Sequence, residues 1–480
     1  MKEFRFHLVG DCRQMACALA LAILSGCTTV NLEPYRQDLE SRHTLTVDAS
    51  PERTLANAGF KRLASIIDSA GAAHIAGIDT SRQIHHIVVD GQSTSHDEII
   101  GKLAGDKRSD IDRAALDIVE YPAGFLRIVA GEHEYSKPLS GGEWSRAPDN
   151  RCRTYLVGPE SLFCLLMATG EEAGSPVRTD TDVAIIFIVP LFSRTALQPG
   201  KLALAELTNT SWQIRTVIDP DTEFSVVESD YFLAMDRRQV VHCFFKVWKG
   251  GSFGMVGASP IGLHMQSIDP IQVRRQAHFP APAASPGSGQ SWQQVRSEAL
   301  GLSWKLNAEF KASAAPDYPI YSSVSSLARN LDIEPDSGRF VALLQARDFW
   351  SNKRLGWGVL RQGEDRLEPL ATQGFPAAEI DSSFFDSGAL FKVAQDHAQH
   401  LLIRMCPSGF WVSPPCQMVY IRRSADGKIA AVLFETAAEW IKDNARSLAL
   451  GKDDTVFAAW VSTGEELTGR WLKPGGSHRQ

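Results

Sequence analysis

The amino-acid sequence predicts an all-β protein, folded as a β-propeller of about seven four-stranded antiparallel blades. Short runs of alternating or β-branched apolar residues, separated by turns rich in Gly, Asp, Asn and Ser, fill most of the chain after its N-terminus. These runs recur as pairs of hairpins about every 40 to 55 residues, a spacing typical of propeller blades. We expect the propeller to span residues 44–472; the alternative is two β-sandwich or half-propeller domains that meet near residues 280–290.

Six segments have the pattern of an apolar strand, a tight polar turn and a second apolar strand, and each is followed by a second hairpin. They cover residues 63–78, 115–131, 154–168, 231–247, 331–346 and 391–405. The widest gaps between turn centres, 159–237 and 237–337, each leave room for one further unit. The six segments and a C-terminal hairpin make seven units, and the chain is expected to hold seven or eight, depending on how its last strands close.

Ring closure is predicted to pair an early strand at His43–Asp48 with the last hairpin at Val456–Trp471, because such pairing removes the exposed edges of an open sheet. The stretch from Pro51 to Asp68 has the best helical pattern in the chain. Ser50 can cap a helix there, and Leu55, Phe60, Leu63 and Ile67 roughly share one face. We therefore expect a helix between the first strand and the first hairpin.

The N-terminal segment predicts export and attachment to a membrane. Met15–Leu24 is an uncharged apolar run that is too short for a bilayer, which needs about 20 residues, but is typical of a signal-peptide core. The run ends in LSGC, Leu24 to Cys27, which resembles the lipobox of bacterial lipoproteins. The resemblance implies a signal peptide at 1–26, palmitate-containing lipid on Cys27 and a tether at 27–43. Thr28, where inner-membrane lipoproteins carry Asp, implies the outer membrane by the same resemblance, and we expect the protein to face the periplasm.

The other cysteines of the mature chain fit an oxidising compartment. Cys152 and Cys164 lie symmetrically about Gly158, so a hairpin that turns there would place them opposite each other and predicts a disulfide. Cys406 and Cys416 bracket a proline-rich loop that a second disulfide could close. Cys243 lies in an apolar run and is expected to be a buried free thiol. No CxxC pair is present, so we predict no metal site.

Residues 68–91, DSAGAAHIAGIDTSRQIHHIVVDG, resemble the repeats of bacterial sialidase-like propellers, in which Asp and Gly form the turn and a His begins the second strand. SPGSGQSW at 285–292 resembles the Asp-box of the same family, with Gly287 where the Asp belongs. Without that carboxylate, which caps the turn amides, the turn should be looser. This degenerate Asp-box implies a propeller scaffold and places no catalytic residue; the alternative interpretation of the stretch is a flexible linker.

Two predicted loops between second and third strands carry aromatic residues. One contains Phe349, Trp350 and Arg354, and the other contains Phe410 and Trp411 between the paired cysteines. A propeller projects such loops to one face, and Trp beside Arg is typical of binding anchors. We predict that this face binds an envelope protein or a glycan; the alternative role of the aromatic rings is packing between blades.

Composition and motifs favour a binding or scaffold protein over an enzyme. The net charge of −7 and the absence of a basic stripe argue against nucleic acid as a partner. The chain has no HExxH helix and no phosphate-binding Gly loop, and we expect no cofactor. Two alternative functions remain, a sialidase-like glycoside hydrolase and an envelope immunity or inhibitor lipoprotein that neutralises a toxin. We expect a disordered tail at 473–480.

Overall fold

The fold is known from a computed structural model that describes most of the chain between residues 47 and 475. The described ranges are 47–91, 95–104, 111, 114–147, 152–167, 181–186, 189–195, 202–208, 211–218, 224–235, 239–249, 259–268, 303–307, 309–312, 320–323, 331–334, 340–347, 353–360, 367–370, 390–405, 417–437, 445–461 and 465–475. Across these ranges, no helix is long and apolar enough to cross a membrane.

The described strands form an all-β protein in which seven antiparallel sheets, here called blades 1 to 7, follow one another along the chain. Two short strands come first, β1 (Val47–Ala49) and β2 (Arg53–Ala56). Blade 1 contains β3 (Phe60–Ile67), β4 (Ala73–Asp79), β5 (Gln83–Val89) and β6 (Ser95–Lys102). Blade 2 contains β7 (Leu116–Glu120), β8 (Phe125–Ala130), β9 (His133–Pro138) and β10 (Ser145–Ala147). Blade 3 contains β11 (Cys152–Val157), β12 (Leu162–Met167), β15 (Leu202–Thr208) and β16 (Ser211–Ile218), with the separate hairpin β13 (Thr181–Ile186) and β14 (Val189–Thr195) between them in sequence.

The other four blades repeat this order. Blade 4 contains β17 (Phe224–Met235), β18 (Val241–Lys249), β19 (Ser259–Ile268) and β20 (Ser303–Asn307), and a separate hairpin of β21 (Glu309–Ala312) and β22 (Ile320–Ser323) follows it. Blade 5 contains β23 (Leu331–Ile333), β24 (Phe340–Arg347), β25 (Lys353–Leu360) and β26 (Leu367–Leu370). Blade 6 contains β27 (Leu390–Val393), β28 (Gln399–Met405), β29 (Gln417–Arg423) and β30 (Ile429–Ala437). Blade 7 contains β31 (Arg446–Leu450), β32 (Val456–Val461) and β33 (Leu467–Pro474), with β1 and β2 paired to its last strand.

The first strands of the blades form the inner ring of a propeller. Each contacts the first strand of the next blade, and the series returns from blade 7 to blade 1. The contacting pairs are β3 with β7, β7 with β11, β11 with β17, β17 with β23, β23 with β27, β27 with β31, and β31 with β3. This order of contacts is that of a seven-bladed β-propeller, as the sequence pattern predicts.

Two half-buried aspartates tie adjacent inner strands together. Asp117 of β7 accepts hydrogen bonds from the backbone N–H of Tyr155 (2.8 Å) and the hydroxyl of Thr154 (2.7 Å), both on β11. Asp332 of β23 accepts a hydrogen bond from the backbone N–H of Val393 on β27 (2.8 Å). Burial raises the pKa of both carboxyl groups, although these hydrogen bonds act against it.

The predicted ring closure is confirmed. Within the predicted early segment the described strand is β1, whose Val47 and Asp48 lie opposite Pro474 and Lys473 of β33. Strand β2 also pairs with β33, with Arg53 opposite Gly469. Strand β33 extends to Pro474, two residues beyond the expected propeller boundary at 472.

Two expectations about the elements are wrong. The expected helix at Pro51–Asp68 is two strands, β2 and β3, because pairing with β33 and β4 satisfies the backbone of this stretch and overrides a weak local helical pattern. In the described part of the gaps 159–237 and 237–337 there is no further blade. The additional residues there include the two separate hairpins β13–β14 and β21–β22.

The apolar cores lie between adjacent blades. The cluster with the most residues joins blades 6, 7 and 1 and includes Phe434, Phe457, Trp460 and Ile75, each at most 1% exposed. Smaller clusters join blade 1 to blade 2 and blade 2 to blade 3. Because of this packing, the apolar side chains of each blade are buried against the neighbouring blades.

The predicted disulfide between Cys152 and Cys164 is confirmed, and it joins β11 to β12 with 5.7 Å between the Cα atoms. The two cysteines are not opposite each other as expected, because a register shift after Cys152 places it opposite Leu166 and leaves Cys164 opposite Tyr155. Cys243 on β18 is a buried free thiol, as predicted, and burial raises its pKa. Cys406 and Cys416 lie outside the described residues, so the second disulfide stays a prediction.

Candidate functional site

A cleft of about 490 Å³ opens where blade 7 meets blade 1. The closing strand β1, the last strand β33 and three turns contribute to it. The turns join β3 to β4, β5 to β6 and β31 to β32. The lining residues are Asp48, Ala49, Ser50, Ile67, Gly71, Gly91, Asp453, Thr455, Trp471 and Lys473. We call this site the closure cleft.

The turn between β3 and β4 forms one wall of the closure cleft. Its backbone closes through hydrogen bonds from Asp68 N to Ala72 O (2.9 Å) and from Gly71 N to Asp68 O (3.1 Å). The carboxylate of Asp68 then accepts from the backbone N–H groups of Ala70 and Ala72 (2.9 and 2.8 Å). Gly71 has a φ of 91°, a left-handed conformation that suits glycine. The turn is therefore held by one buried carboxylate.

The turn between β31 and β32 forms a second wall. The carboxylate of Asp453 accepts hydrogen bonds from the hydroxyl of Thr455 (2.8 Å) and from its backbone N–H (3.2 Å). These hydrogen bonds, the hydroxyl bond first and with a smaller contribution from the positive charge of Lys473, outweigh partial burial and lower the pKa of Asp453. The closure cleft therefore contains an ionised carboxylate at neutral pH.

Trp471 on β33 is the one aromatic residue among those that line the cleft. Its backbone is fixed to Ser50, since Ser50 N donates to Trp471 O (2.9 Å) and Trp471 N donates to Ser50 Oγ (3.0 Å). Its ring packs against Phe457, with 4.8 Å between the ring centroids. The indole therefore lies against Phe457 on a strand whose backbone is hydrogen-bonded to Ser50.

The lining combines the groups that a small polar ligand needs. An aromatic surface can pack against the C–H face of a ligand, and carboxylates, hydroxyls and an ammonium can fix its polar edge. In the part of the chain that the structure describes, no group of three or more His, Cys, Asp or Glu side chains could hold a metal ion.

None of the residues that line this cleft is among the predicted binding residues. Phe349, Trp350, Phe410 and Trp411 lie outside the described residues, as do Cys27 and the degenerate Asp-box at 285–292. Arg354 lies on β25, opposite Ala346 of β24. Turns between first and second strands and between third and fourth strands share one end of an antiparallel sheet, so the closure cleft lies at that end of blades 7 and 1.

The closure cleft is not predicted by any motif in the sequence. The segment with Trp471 was predicted to take part in ring closure, but no motif connects it with Ser50 or with the turns at Gly71 and Asp453. The feature of the sequence that could have indicated the cleft is the predicted ring closure, because it brings both ends of the propeller to the first turn of blade 1.

No protein-family model matches the chain, and no curated protein matches it in sequence. Among solved structures, a variant of the Aleuria aurantia lectin in complex with Fucα1-6GlcNAc is similar at 9% identity and a TM-score of 0.34, with 81% of this chain and 100% of the lectin covered. An α-L-arabinanase from Penicillium chrysogenum, complexed with arabinobiose, is similar at 8% identity and a TM-score of 0.40, with 89% and 98% covered. An α-L-arabinofuranosidase from Lactobacillus brevis is similar at 9% identity and a TM-score of 0.33, with 78% and 93% covered. Because these similarities are low, the assignment of the fold is based on the strand pairing and on the ring of inner strands.

Proposed function

We propose that the protein is a lipid-anchored envelope protein that binds a glycan in the closure cleft and does not cleave it. The observation that carries this proposal is the combination in one cleft of an indole, an ionised carboxylate, hydroxyl groups and an ammonium group. Sugar rings present C–H faces that pack on aromatic rings and hydroxyl edges that donate to carboxylates. The size of the cleft suits a ligand of one to a few sugar rings.

Gly91 offers a test that spares the fold. It lines the cleft, its backbone lies outside the left-handed region, and a Cβ atom placed there meets no atom within 4 Å. Gly91→Phe should therefore fold normally and fill the cleft. We expect it to weaken glycan binding at least about thirtyfold, which corresponds to roughly 2 kcal/mol.

The measurement is a screen of the lipid-free protein on a glycan array, followed by calorimetric titration with the tightest glycan found there. Gly91→Ala is the matched control and should bind nearly as the wild type does, while thermal melts of all three proteins should agree. Binding by Gly91→Phe at wild-type strength would contradict the location of the site, and an empty array would contradict the ligand class. Release of reducing sugar during the titration would contradict a purely binding role.

We propose that lipid on Cys27 holds the protein at the outer membrane. The support is the short apolar run that ends in LSGC. Cells grown with a palmitate analogue should label the wild type and should not label Cys27→Ser, which should also leave the membrane fraction. Equal labelling of both proteins would exclude the anchor.

A further inference from the structure

A row of four hydrogen-bonded side chains crosses blade 1 behind the wall of the closure cleft. Asp68 lies in the turn between β3 and β4, His74 is on β4, His86 is on β5 and Glu98 is on β6. The distances along the row are 3.0 Å from Asp68 Oδ2 to His74 Nε2, 3.0 Å from His74 Nδ1 to His86 Nε2, and 3.1 Å from His86 Nδ1 to Glu98 Oε1. The two imidazole rings are nearly parallel, and each histidine is at most 4% exposed.

The number of protons in this row is set by its geometry. Three contacts require three protons, and two ionised carboxylates supply none. Two neutral imidazoles supply only two protons, so in that state one contact would place two lone pairs against each other at about 3 Å in a buried site. If one imidazole carries a second proton, every contact in the row has a donor and an acceptor.

We propose that the His74–His86 pair holds one additional proton at neutral pH, and that this proton stabilises the turn between β3 and β4, which forms one wall of the closure cleft. His74 is then an imidazolium that donates to Asp68 and to His86, and neutral His86 donates to Glu98. The link to the cleft follows from Asp68, which also holds the backbone of Ala70 and Ala72 beside Gly71. Only this link rests on the proposed function; the proton assignment does not.

The surrounding charges favour one additional proton rather than none or two. Burial alone would raise the pKa of Glu98, but hydrogen bonds from the indole of Trp144 and the ammonium of Lys137 outweigh it and lower the pKa to about 2. Burial, together with the charge of His74, lowers the pKa of His86 to about 4, so the second imidazole stays neutral. With His74 positive, its charge and that of Lys137 balance those of Asp68 and Glu98.

The other charged groups near the row are already paired. On blade 2, Glu120 accepts from the backbone N–H and the hydroxyl of Ser69, at 2.6 and 2.7 Å, and does not reach the histidines. On the opposite face of the same strands, His85 forms its own contacts with Asp97 (2.9 Å) and Asp79 (3.5 Å). The additional proton therefore belongs to His74 and His86.

Loss of this proton should weaken the turn between β3 and β4. As the pH rises and the pair becomes neutral, one contact of the row loses its hydrogen, and the positive charge between the two carboxylates disappears. The bond from His74 to Asp68 weakens as a result, and the turn at Ala70–Gly71 loosens. The wall of the closure cleft should therefore be held most firmly while the pair carries this proton.

The test is nitrogen NMR of the folded lipid-free protein labelled with ¹⁵N-histidine and on the backbone, titrated from pH 5 to 9. We expect both ring nitrogens of His74 to carry protons at pH 7, and the signals of both rings to shift together at a single midpoint as the pH rises. The amide signals of Ala70 and Gly71 should shift at the same midpoint. His96→Gln, a change of an exposed histidine on β6, is the matched control and should leave these signals unchanged.

A His74 ring with one proton throughout the titration would overturn the proton assignment. If the ring signals titrate while the amides of Ala70 and Gly71 do not, the link to the cleft wall is overturned. Neither measurement requires a glycan, so a failure of the proposed function is distinguishable from a failure of this inference.

Discussion

Replacement of Trp460 by alanine is expected to lower the free energy of unfolding by about 3 to 5 kcal/mol. The side chain is completely buried on β32, and its ring stacks on Phe434 of blade 6 with 4.6 Å between centroids. Removal of the indole therefore leaves a cavity between blades 6 and 7. Urea unfolding followed by circular dichroism would measure the loss as a lower midpoint at an unchanged slope.

Trp460→Phe is the matched control because it keeps an aromatic ring against Phe434. The indole N–H of Trp460 has no hydrogen-bond partner among the described residues, so the phenylalanine variant loses no such bond. Most of the stability should return in this variant. Equal destabilisation by Phe and Ala would show that the stacked ring does not carry the contact between the blades.

Asp454→Asn is expected to cost about 3 kcal/mol at pH 7, because it breaks a largely buried ion-pair network. Asp454, in the turn between β31 and β32, contacts His400 Nε2 at 2.6 Å and accepts from the guanidinium of Arg422 at 2.7 and 3.0 Å. His400 is completely buried and Arg422 is mostly buried, so both lose their anionic contact with blade 7 in the variant.

The loss of stability caused by Asp454→Asn should become smaller as the pH falls. Burial opposes ionisation of Asp454, but the hydrogen bonds and charges of His400 and Arg422 outweigh it and lower its pKa. A carboxylate whose pKa is lower in the folded state stabilises the protein above its unfolded pKa, and that stability is lost as the pH falls through the folded pKa. The difference between wild type and Asp454→Asn in urea unfolding should therefore shrink on acidification.

Asp426→Asn provides the comparison for this prediction. Asp426 lies in the exposed turn between β29 and β30, and its carboxylate contacts the neighbouring Ser424 and Lys428. Its replacement should change stability little at any pH. A loss as large as that of Asp454→Asn would show that turn aspartates in general, rather than the inter-blade network, set the stability.

The sequence predicts most of the blades because their hairpins are local. The turn at Gly71 and the symmetric placement of Cys152 and Cys164 about Gly158 are visible over fewer than twenty residues, and the structure confirms both hairpins. The expected helix at Pro51–Asp68 is wrong for the opposite reason. Part of its backbone pairs with β33, which is far away in the sequence, and a local sequence pattern cannot indicate such a distant partner.

The candidate site was less predictable for the same physical reason. His74 and His86 are visible as residues of a repeat, but only the register of β4, β5 and β6 aligns them with Glu98. The closure cleft likewise needs β1, β33 and three turns in place before Trp471 and Asp453 approach each other. Aromatic loops, in contrast, are conspicuous in a sequence, which explains why Trp350 and Trp411 were the residues predicted to bind.

The pairing of β1 and β2 with β33 also determines the order in which the molecule can be assembled. Blades 1 to 6 each pair strands that are contributed by one stretch of chain, but Ser50 and Trp471 are 421 positions apart. The entropy of closing such a loop grows only with the logarithm of its length, so the thermodynamic penalty is modest. The kinetic consequence is larger, because distant pairings form slowly and after local ones. Until β1 and β2 pair with β33, the outer edge of β33 is open. A chain that ends before β33 cannot form this pairing.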